Sequence, residues 1–459
     1  MKDKIRLQFL GAVGYVTGSR TLIETENTRV YVDAGLYQGP RYIEEKNFLP
    51  LETDASKIDA ILLTHAHIDH SGFLPLLIKK GFQGAVYCTY STAKLLEILL
   101  PDAGRLQEEE YKFYSKKKIT QYNLDGPLFT EQDAIKALDF LKPVSFNKEF
   151  KFQDFKIKFF WAGHIVGASY IQIKINKKTI LFSGDIGPVN TIFHKERENP
   201  PPADYVIIES TYGTRLHEKE DYTEKMQHAI KSVIKKKGML IIPSFAVGRT
   251  QLVLYVLFKL IKEKKIQPIP IFLDSPMATR ATKVYLENPN EIKNDVIKEG
   301  FLEFMKSDAV KMIEDVAESK RLNYYTGPGI IVSASGMCSG GRIMHHLFNR
   351  LWDRRNVLLF AGYQANGTLG RTLLEGALRV KIFNRELPVR CSIEKINSFS
   401  AHADQNGLIS WVKSMGKKQP QKIFINHGED ESREELKKKL TELIYSDIEI
   451  PKSEYIYYL

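Results

Sequence analysis

The feature that most constrains this chain is a short run, His65-Ala66-His67-Ile68-Asp69-His70, standing directly behind the mostly apolar stretch Ile58–Leu63. That stretch reads as a buried strand. The donors therefore emerge in the loop at its carboxyl end, where open α/β sheets favour ligand sites. His65 and His67 alternate and can point to one side, while the adjacent Asp69 and His70 can turn toward a second point. Three imidazoles and a carboxylate so close together suit zinc, and also iron, nickel or manganese. Core packing accounts for a lone histidine but not for three around an aspartate. A fold for this chain must bring the run to an accessible strand end and supply the remaining ligands from elsewhere.

Other donors stand in the same kind of place. Gly163-His164 follows a strand ending at Trp161, Gly184-Asp185 follows Thr179–Phe182, and Asn426-His427-Gly428 follows Lys422–Ile425. Each has a neighbouring glycine that permits a tight turn. Taken singly, each is as readily a turn residue; the repeated placement favours one shared site.

The rest of the chain divides by pattern. Strands are expected at Ile5–Leu10, Thr21–Glu24, Arg29–Val32, Phe155–Trp161, Tyr170–Ile175 and Thr179–Phe182, with mostly helix over 91–140. Pro200-Pro201-Pro202 marks an expected domain edge. Beyond it, strands Tyr205–Ile208, Met239–Ile242, Ile269–Leu273, Gly329–Val332 and Val357–Phe360 alternate with helices such as Thr223–Lys236 and Thr250–Lys264, the pattern of a helix-covered parallel sheet. After about 376 short strands return, and a charged helix near 431–444 follows.

Composition narrows the partners. With 43% hydrophobic residues the 459-residue chain can bury a large core, and its net charge of +11 suits a polyanion. The lysine runs Lys116-Lys117-Lys118, Lys235-Lys236-Lys237 and Lys437-Lys438-Lys439 are more readily read as solvated helix faces. Three scattered cysteines, Cys88, Cys338 and Cys391, are too few for a disulfide framework and read as free thiols of a reducing compartment. There is no signal-peptide core and no uncharged apolar run of membrane-spanning length. A cytoplasmic protein with no membrane partner is expected.

The ordered motifs resemble those of the metallo-β-lactamase superfamily, and within it the β-CASP ribonucleases, in the manner of bacterial and archaeal relatives of the eukaryotic cleavage and polyadenylation factor endonuclease subunit. They are Asp33 in Val32-Asp33-Ala34-Gly35, the run His65 to His70, His164, Asp185, Glu209 in Glu209-Ser210-Thr211-Tyr212-Gly213, His402 in Ser400-Ala401-His402-Ala403-Asp404, and His427. The resemblance covers essentially the whole chain. It implies an α/β fold: an αββα sandwich from residues 1–207 and 377–459, with a parallel-sheet β-CASP domain, 208–376, inserted and the active site in the cleft between them.

The resemblance also implies two Zn2+ per chain. One takes His65, His67 and His164; the other takes Asp69, His70 and His427; Asp185 bridges them. Asp33 corresponds to a carboxylate that orients a ligand histidine. The reaction implied is hydrolysis of single-stranded RNA to 3′-hydroxyl and 5′-phosphate ends, Asp69 orienting the attacking water and His402, held by Glu209, protonating the leaving oxygen. In the resembled family, RNA-processing members carry histidine at the last motif and DNA-repair members usually valine, so His427 favours RNA. Segments Ser244–Arg249, Ser333–Met337 and Gly362–Gly367 are expected to face the cleft, with Ser244, Arg249, Ser333, Ser335, Arg342 and Gln364 as backbone contacts; helix capping is their alternative reading.

His194, His217, His228, His345 and His346 match no motif and are read as surface or structural, His345 and His346 least securely because they follow a Gly-rich segment. An endonuclease is expected, with a 5′–3′ exoribonuclease of the same family as the alternative and a homodimer allowed. A catalytically silent RNA-binding subunit would have lost ligands that this chain keeps, and a small-molecule hydrolase would need neither the insertion nor His402. One departure stands out: Tyr15, in Gly14-Tyr15-Val16-Thr17-Gly18-Ser19, occupies a position where relatives often carry a polar residue.

Overall fold

A computed structural model describes residues 4–116, 126–217, 220–416 and 418–459. Its chain contacts divide it into two compact units. The first comprises residues up to Thr191, then Glu196–Leu216 and His402–Leu459; the second comprises Ile192–Lys195 and His217–Ala401.

The first unit holds two seven-stranded sheets. One runs Ile456–Tyr458, Arg6–Phe9, Thr21–Glu24, Arg29–Val32, Ala60–Leu62, Ala85–Thr89, Leu141–Val144 in spatial order; the other runs Asp447–Glu449, Lys422–Ile425, Tyr205–Ile208, Lys178–Phe182, Ser169–Ile175, Phe155–Trp161, Phe150–Phe152. Period-two alternation puts Phe155, Ile157 and Phe159 on one face, with Ile171, Ile173 and Ile175 beside them. These side chains meet Leu7, Phe9, Val30, Val32 and Leu62 of the other sheet in a continuous core. On the outer face of the second sheet Tyr170 packs against Trp411, and helices Gln405–Lys413 and Asp430–Leu443 cover it with Leu408, Val412, Leu436 and Leu440. Helix Tyr90–Lys116 covers strands of the first sheet, with helix Glu131–Ala137 packed on it. This is the expected αββα order.

The second unit is built on a six-stranded sheet, Val310–Ile313, Ile271–Asp274, Gly329–Ser333, Met239–Pro243, Val357–Phe360, Ser392–Lys395, in which each neighbouring pair is parallel. Helix Tyr222–Lys236 precedes its first strand in sequence, and helices Arg249–Lys262, Pro276–Glu287 and Arg342–Arg350 lie between its strands, as the alternation predicts.

Two details differ from the sequence expectation. Strand Tyr205–Ile208, which opens the alternating pattern, pairs in parallel with Lys178–Phe182 on one side and Lys422–Ile425 on the other, so it belongs to the sandwich. The triple proline therefore lies inside the first unit, before one of its strands, and the units divide after Leu216. At the far edge, Ser392–Lys395 pairs with Val357–Phe360, which carries the second unit on to Ala401. In the stretch expected to be helical over 91–140, residues 117–125 lie outside the described residues, as do Lys117 and Lys118 of the first lysine run. All three cysteines are buried free thiols. Among the described residues no helix is long and apolar enough to cross a membrane.

Candidate metal centre

The site lies entirely within the first unit, beyond the carboxyl ends of several of its strands. Strand Ala60–Leu62 delivers His65 and His67, and the short helix Ile68–Ser71 carries Asp69 and His70. His164 follows Phe155–Trp161, Asp185 follows Lys178–Phe182, Glu209 follows Tyr205–Ile208, and His427 follows Lys422–Ile425. Gly184 takes φ +52, and a Cβ there would stand 2.7 Å from Thr64 Cβ, so the turn that presents Asp185 requires glycine. At Gly428 the reason is crowding instead: a Cβ would meet Ser210 Oγ at 2.2 Å.

The seven expected ligands converge as two groups. In the first, one donor atom each from His65, His67, His164 and Asp185 lie within 4.8 Å of one another. His67 Nδ1 is 3.1 Å from both His65 Nε2 and His164 Nε2, and Asp185 Oδ2 is 3.5 Å and 3.6 Å from the same two Nε2 atoms. In the second group His70 Nε2 and His427 Nε2 are 3.0 Å apart, and Asp69 Oδ2 is 3.9 Å and 3.7 Å from them. Asp185 reaches this group with its other oxygen, Oδ1, 3.2 Å from His70 Nε2.

The far sides of the rings fix which nitrogen faces inward. His70 Nδ1 bonds to Asp33 Oδ2 at 2.7 Å, His65 Nδ1 faces Thr64 Oγ1 at 3.1 Å, and His427 Nδ1 faces Thr211 Oγ1 at 3.3 Å. Asp33 is itself held by Thr64 N–H, Thr64 Oγ1 and Ser19 Oγ. Such outer partners set tautomer and ring orientation for a ligand histidine. Sequence reasoning found Asp33 but missed Thr64, Thr211 and Ser19. The signal available was adjacency: Thr64 precedes the first ligand, and Thr211 lies within the Glu209 motif.

The electrostatics suit a cation. His65, His70, His164, Asp185 and His427 are all buried. Burial, then repulsion from His70, holds His65 well below the ordinary imidazole range. Burial opposes charge on His70 too, yet Asp185, Asp33 and Asp69 drive it well above that range. Asp185 is held well below the carboxylate range and Asp69 is lowered to about 2, in each case against burial and led by the attraction of His70. Asp185 Oδ1 is buried and makes no directed hydrogen bond. Nitrogen lone pairs aimed at one another, with a carboxylate between, repel unless a proton or metal stands among them. The donor set fits metal ions.

A third group adjoins these two. His402 Nδ1 lies 3.2 Å from Glu209 Oε2, and its ring centroid is 4.5 Å from that of His164. Glu209 is buried; its Oε1 accepts Ile186 N–H, and its own N–H donates to Ser183 Oγ. The His402 side chain keeps 21% of its surface exposed. Burial lowers its basicity, but Glu209 and then Asp185 raise it to about 10. Tyr212, which the sequence reading did not single out, sets its ring edge-on to His402 at 5.8 Å.

The residues expected to contact RNA lie in the second unit, and several have other engagements. Ser333 is buried and donates to the Asp274 carbonyl. Arg342 donates to Asp274 Oδ1 at 2.7 Å and to the carbonyls of Ile313 and Glu314. Gln364 is buried and donates to Gly336 O, and Arg249 donates to Ala361 O. Ser244 is buried, and Ser335 sits at the surface with its hydroxyl near Ser339. His346 is buried on Asp274 Oδ2 at 2.6 Å and His194 is buried with its Nε2 3.2 Å from Tyr285 Oη, the structural roles expected of them.

Comparison with known proteins agrees with this geometry. Residues 22–187 match a metallo-β-lactamase superfamily domain, 250–373 a Beta-Casp domain, and 386–451 a Zn-dependent metallo-hydrolase RNA specificity domain. The chain is 34% identical over 435 residues to Ribonuclease TTHA0252 of Thermus thermophilus, spanning 93% of this chain and 94% of that protein. It is 32% identical to an RNase J-like protein of Methanocaldococcus jannaschii, spanning 93% of each, and 30% identical to Transcription termination factor FttA of Methanosarcina mazei, spanning 94% of this chain and 68% of that one. A crystal structure of a protein of unknown function from Enterococcus faecalis shares the fold at 12% identity, with a TM-score of 0.57 and 99% of this chain covered. The chain belongs to the β-CASP ribonuclease family of the metallo-β-lactamase superfamily, whose members are metal-dependent hydrolases.

Proposed function

We propose that this protein is a two-zinc ribonuclease that cuts RNA internally and leaves 3′-hydroxyl and 5′-phosphate ends. The observation that carries the reading is the convergence of seven donor residues into two groups, with Asp185 offering one oxygen to each. In this reading His65, His67 and His164 would hold one ion, Asp69, His70 and His427 would hold the other, and Asp185 would serve both. Five imidazoles and two carboxylates form a donor set well suited to zinc. The ribonuclease names of the relatives and the RNA specificity match over residues 386–451 support RNA as substrate.

Bound metals supply charge neutralisation of the phosphodiester and an activated water at neutral pH. The chain's own residues do the rest. Asp69, whose side chain is 19% exposed and ionised, orients the water for in-line attack. Glu209 holds His402 through Nδ1, so that Nε2 carries the proton the leaving ribose oxygen needs. Asp33 and Thr64 keep His70 turned inward.

Elemental analysis of protein expressed with ample metal should find close to two zinc per chain; none would overturn the site. Internally and end-labelled single-stranded RNA should give internal fragments whose 5′ ends are phosphatase-sensitive. Mononucleotides released from the 5′ end alone would replace the endonucleolytic reading with the exonucleolytic one.

A further inference from the structure

The loop from Val13 to Ser19 is fastened at both ends to the Asp69–His70–His427 group. At its start, Val13 and Gly14 pair in parallel with Gly428 and Glu429, and His427 N–H donates to Ala12 O at 3.1 Å. Asn426 Nδ2 donates to Gly11 O, also at 3.1 Å. At its end, Ser19 N–H donates to Asp69 O at 2.8 Å and Ser19 Oγ to Asp33 Oδ2. Whatever the loop carries is thereby held beside this half of the centre.

It carries Tyr15. The ring is half-buried and meets Tyr37 edge-on, with centroids 6.1 Å apart and planes at 89°. Tyr37 is a rigid backing: it is buried, and its backbone N–H and C=O both bond to the Asn47 side chain, at 2.9 Å and 2.8 Å. The neighbour of Asn47, Lys46, places its ammonium 5.3 Å over the Tyr15 ring. An aromatic ring on a fixed support, with a lysine ammonium at its face, has the two parts that grip a nucleotide in single-stranded RNA: a stacking surface and a phosphate partner. A surface cation–π contact is weaker than base–aromatic stacking, so a base can displace the ammonium, which then swings to a phosphate.

We infer that Tyr15 stacks a base of the substrate strand close to the scissile phosphate, and that Lys46 pairs with a phosphate adjoining that base. The inference rests on the ribonuclease reading and deepens it. Every base has a π-face, so this contact tightens binding with little sequence preference.

The test is a cycle between enzyme and substrate, using metal-loaded protein and a single-stranded RNA whose scissile linkage is made non-cleavable. Tyr15→Leu should weaken equilibrium binding about tenfold, the order expected for one lost stacking contact, and Tyr15→Phe should bind about as wild type does. Replacing nucleotides near the scissile linkage by abasic ones should reveal one position that weakens wild-type binding similarly but does not weaken Tyr15→Leu further. Wild-type affinity in Tyr15→Leu, or losses that simply multiply at every abasic position, would overturn the inference while leaving the ribonuclease reading in place. Wild-type protein that neither binds nor cuts RNA would overturn both. Matching thermal midpoints of the Leu and Phe variants separate a lost contact from lost folding.

Discussion

Asp33→Asn is the substitution whose outcome the geometry specifies most closely. Asp33 sits at φ +63, a conformation asparagine also tolerates, so the backbone can stay as it is. The carboxylate accepts at both ends: Thr64 N–H at 2.8 Å and Thr64 Oγ1 at 2.9 Å on Oδ1, His70 Nδ1 at 2.7 Å on Oδ2. An amide has one acceptor. If its oxygen stays on Thr64 N–H, its NH2 faces His70 Nδ1, donor against donor. The conflict is relieved when His70 moves its proton to Nε2, the nitrogen that faces His427 and Asp185 and that would bind metal. Either the bond to Asp33 or the ligand is lost. A charge-assisted hydrogen bond is worth about 1.5–3 kcal/mol, and tenfold in affinity is about 1.4 kcal/mol. Metal affinity should therefore fall about ten- to 100-fold at one of the two positions, in the range usual for outer partners of ligand histidines. Competition against a chromophoric chelator should show one ion held as in wild type and one released early. Two ions held with wild-type affinity would refute the orienting role of Asp33.

Further expectations follow from other groups. His402→Ala should keep its metal content and lose about 10²–10⁴-fold in turnover on RNA; wild-type rates would remove its role as proton donor. Burial holds His194 at about 4, against an ordinary value of 6.5. Its neutral form is needed in the fold, so the stability it contributes is full above about pH 6.5 and is lost as pH falls toward 4, by about 3 kcal/mol at most. Urea unfolding of His194→Gln should show a flatter decline over that window; a wild-type slope would contradict the assignment. Gly184→Ala must place a Cβ against Thr64 at positive φ and should lose about 1–3 kcal/mol of stability, measured by thermal unfolding; an unchanged midpoint would show that the turn relaxes.

Much of the site was legible because its chemistry is local in sequence. His65 to His70 announce themselves by density, and His164, Asp185 and His427 each follow an apolar strand and adjoin a glycine. What stayed hidden depends on pairing over long sequence separation. Ile456–Tyr458 closes the first sheet against Arg6–Phe9, a partner at the opposite end of the chain. Tyr205–Ile208 looks like the first strand of the alternating pattern, yet its hydrogen-bonding neighbours lie in the sandwich. An apolar run states that it is buried, not which sheet buries it. The engagements of the polar residues in the second unit stayed hidden for a related reason. Ser333 and Arg342 have phosphate-binding chemistry, and only the fold reveals that Asp274, buried beneath them, engages both.

The placement of Lys422–Ile425, between Tyr205–Ile208 and Asp447–Glu449 in the second sheet, has a consequence for synthesis. Ribosomes make the chain from its amino end, so His65 to Asp185 leave the exit tunnel long before this strand and the histidine at its tip. Until then the Asp69–His70 pair lacks His427, His402 has not joined Glu209, and the sheet beneath them has a gap at Tyr205. An unfinished copy therefore carries most of the cluster without the residues that complete it.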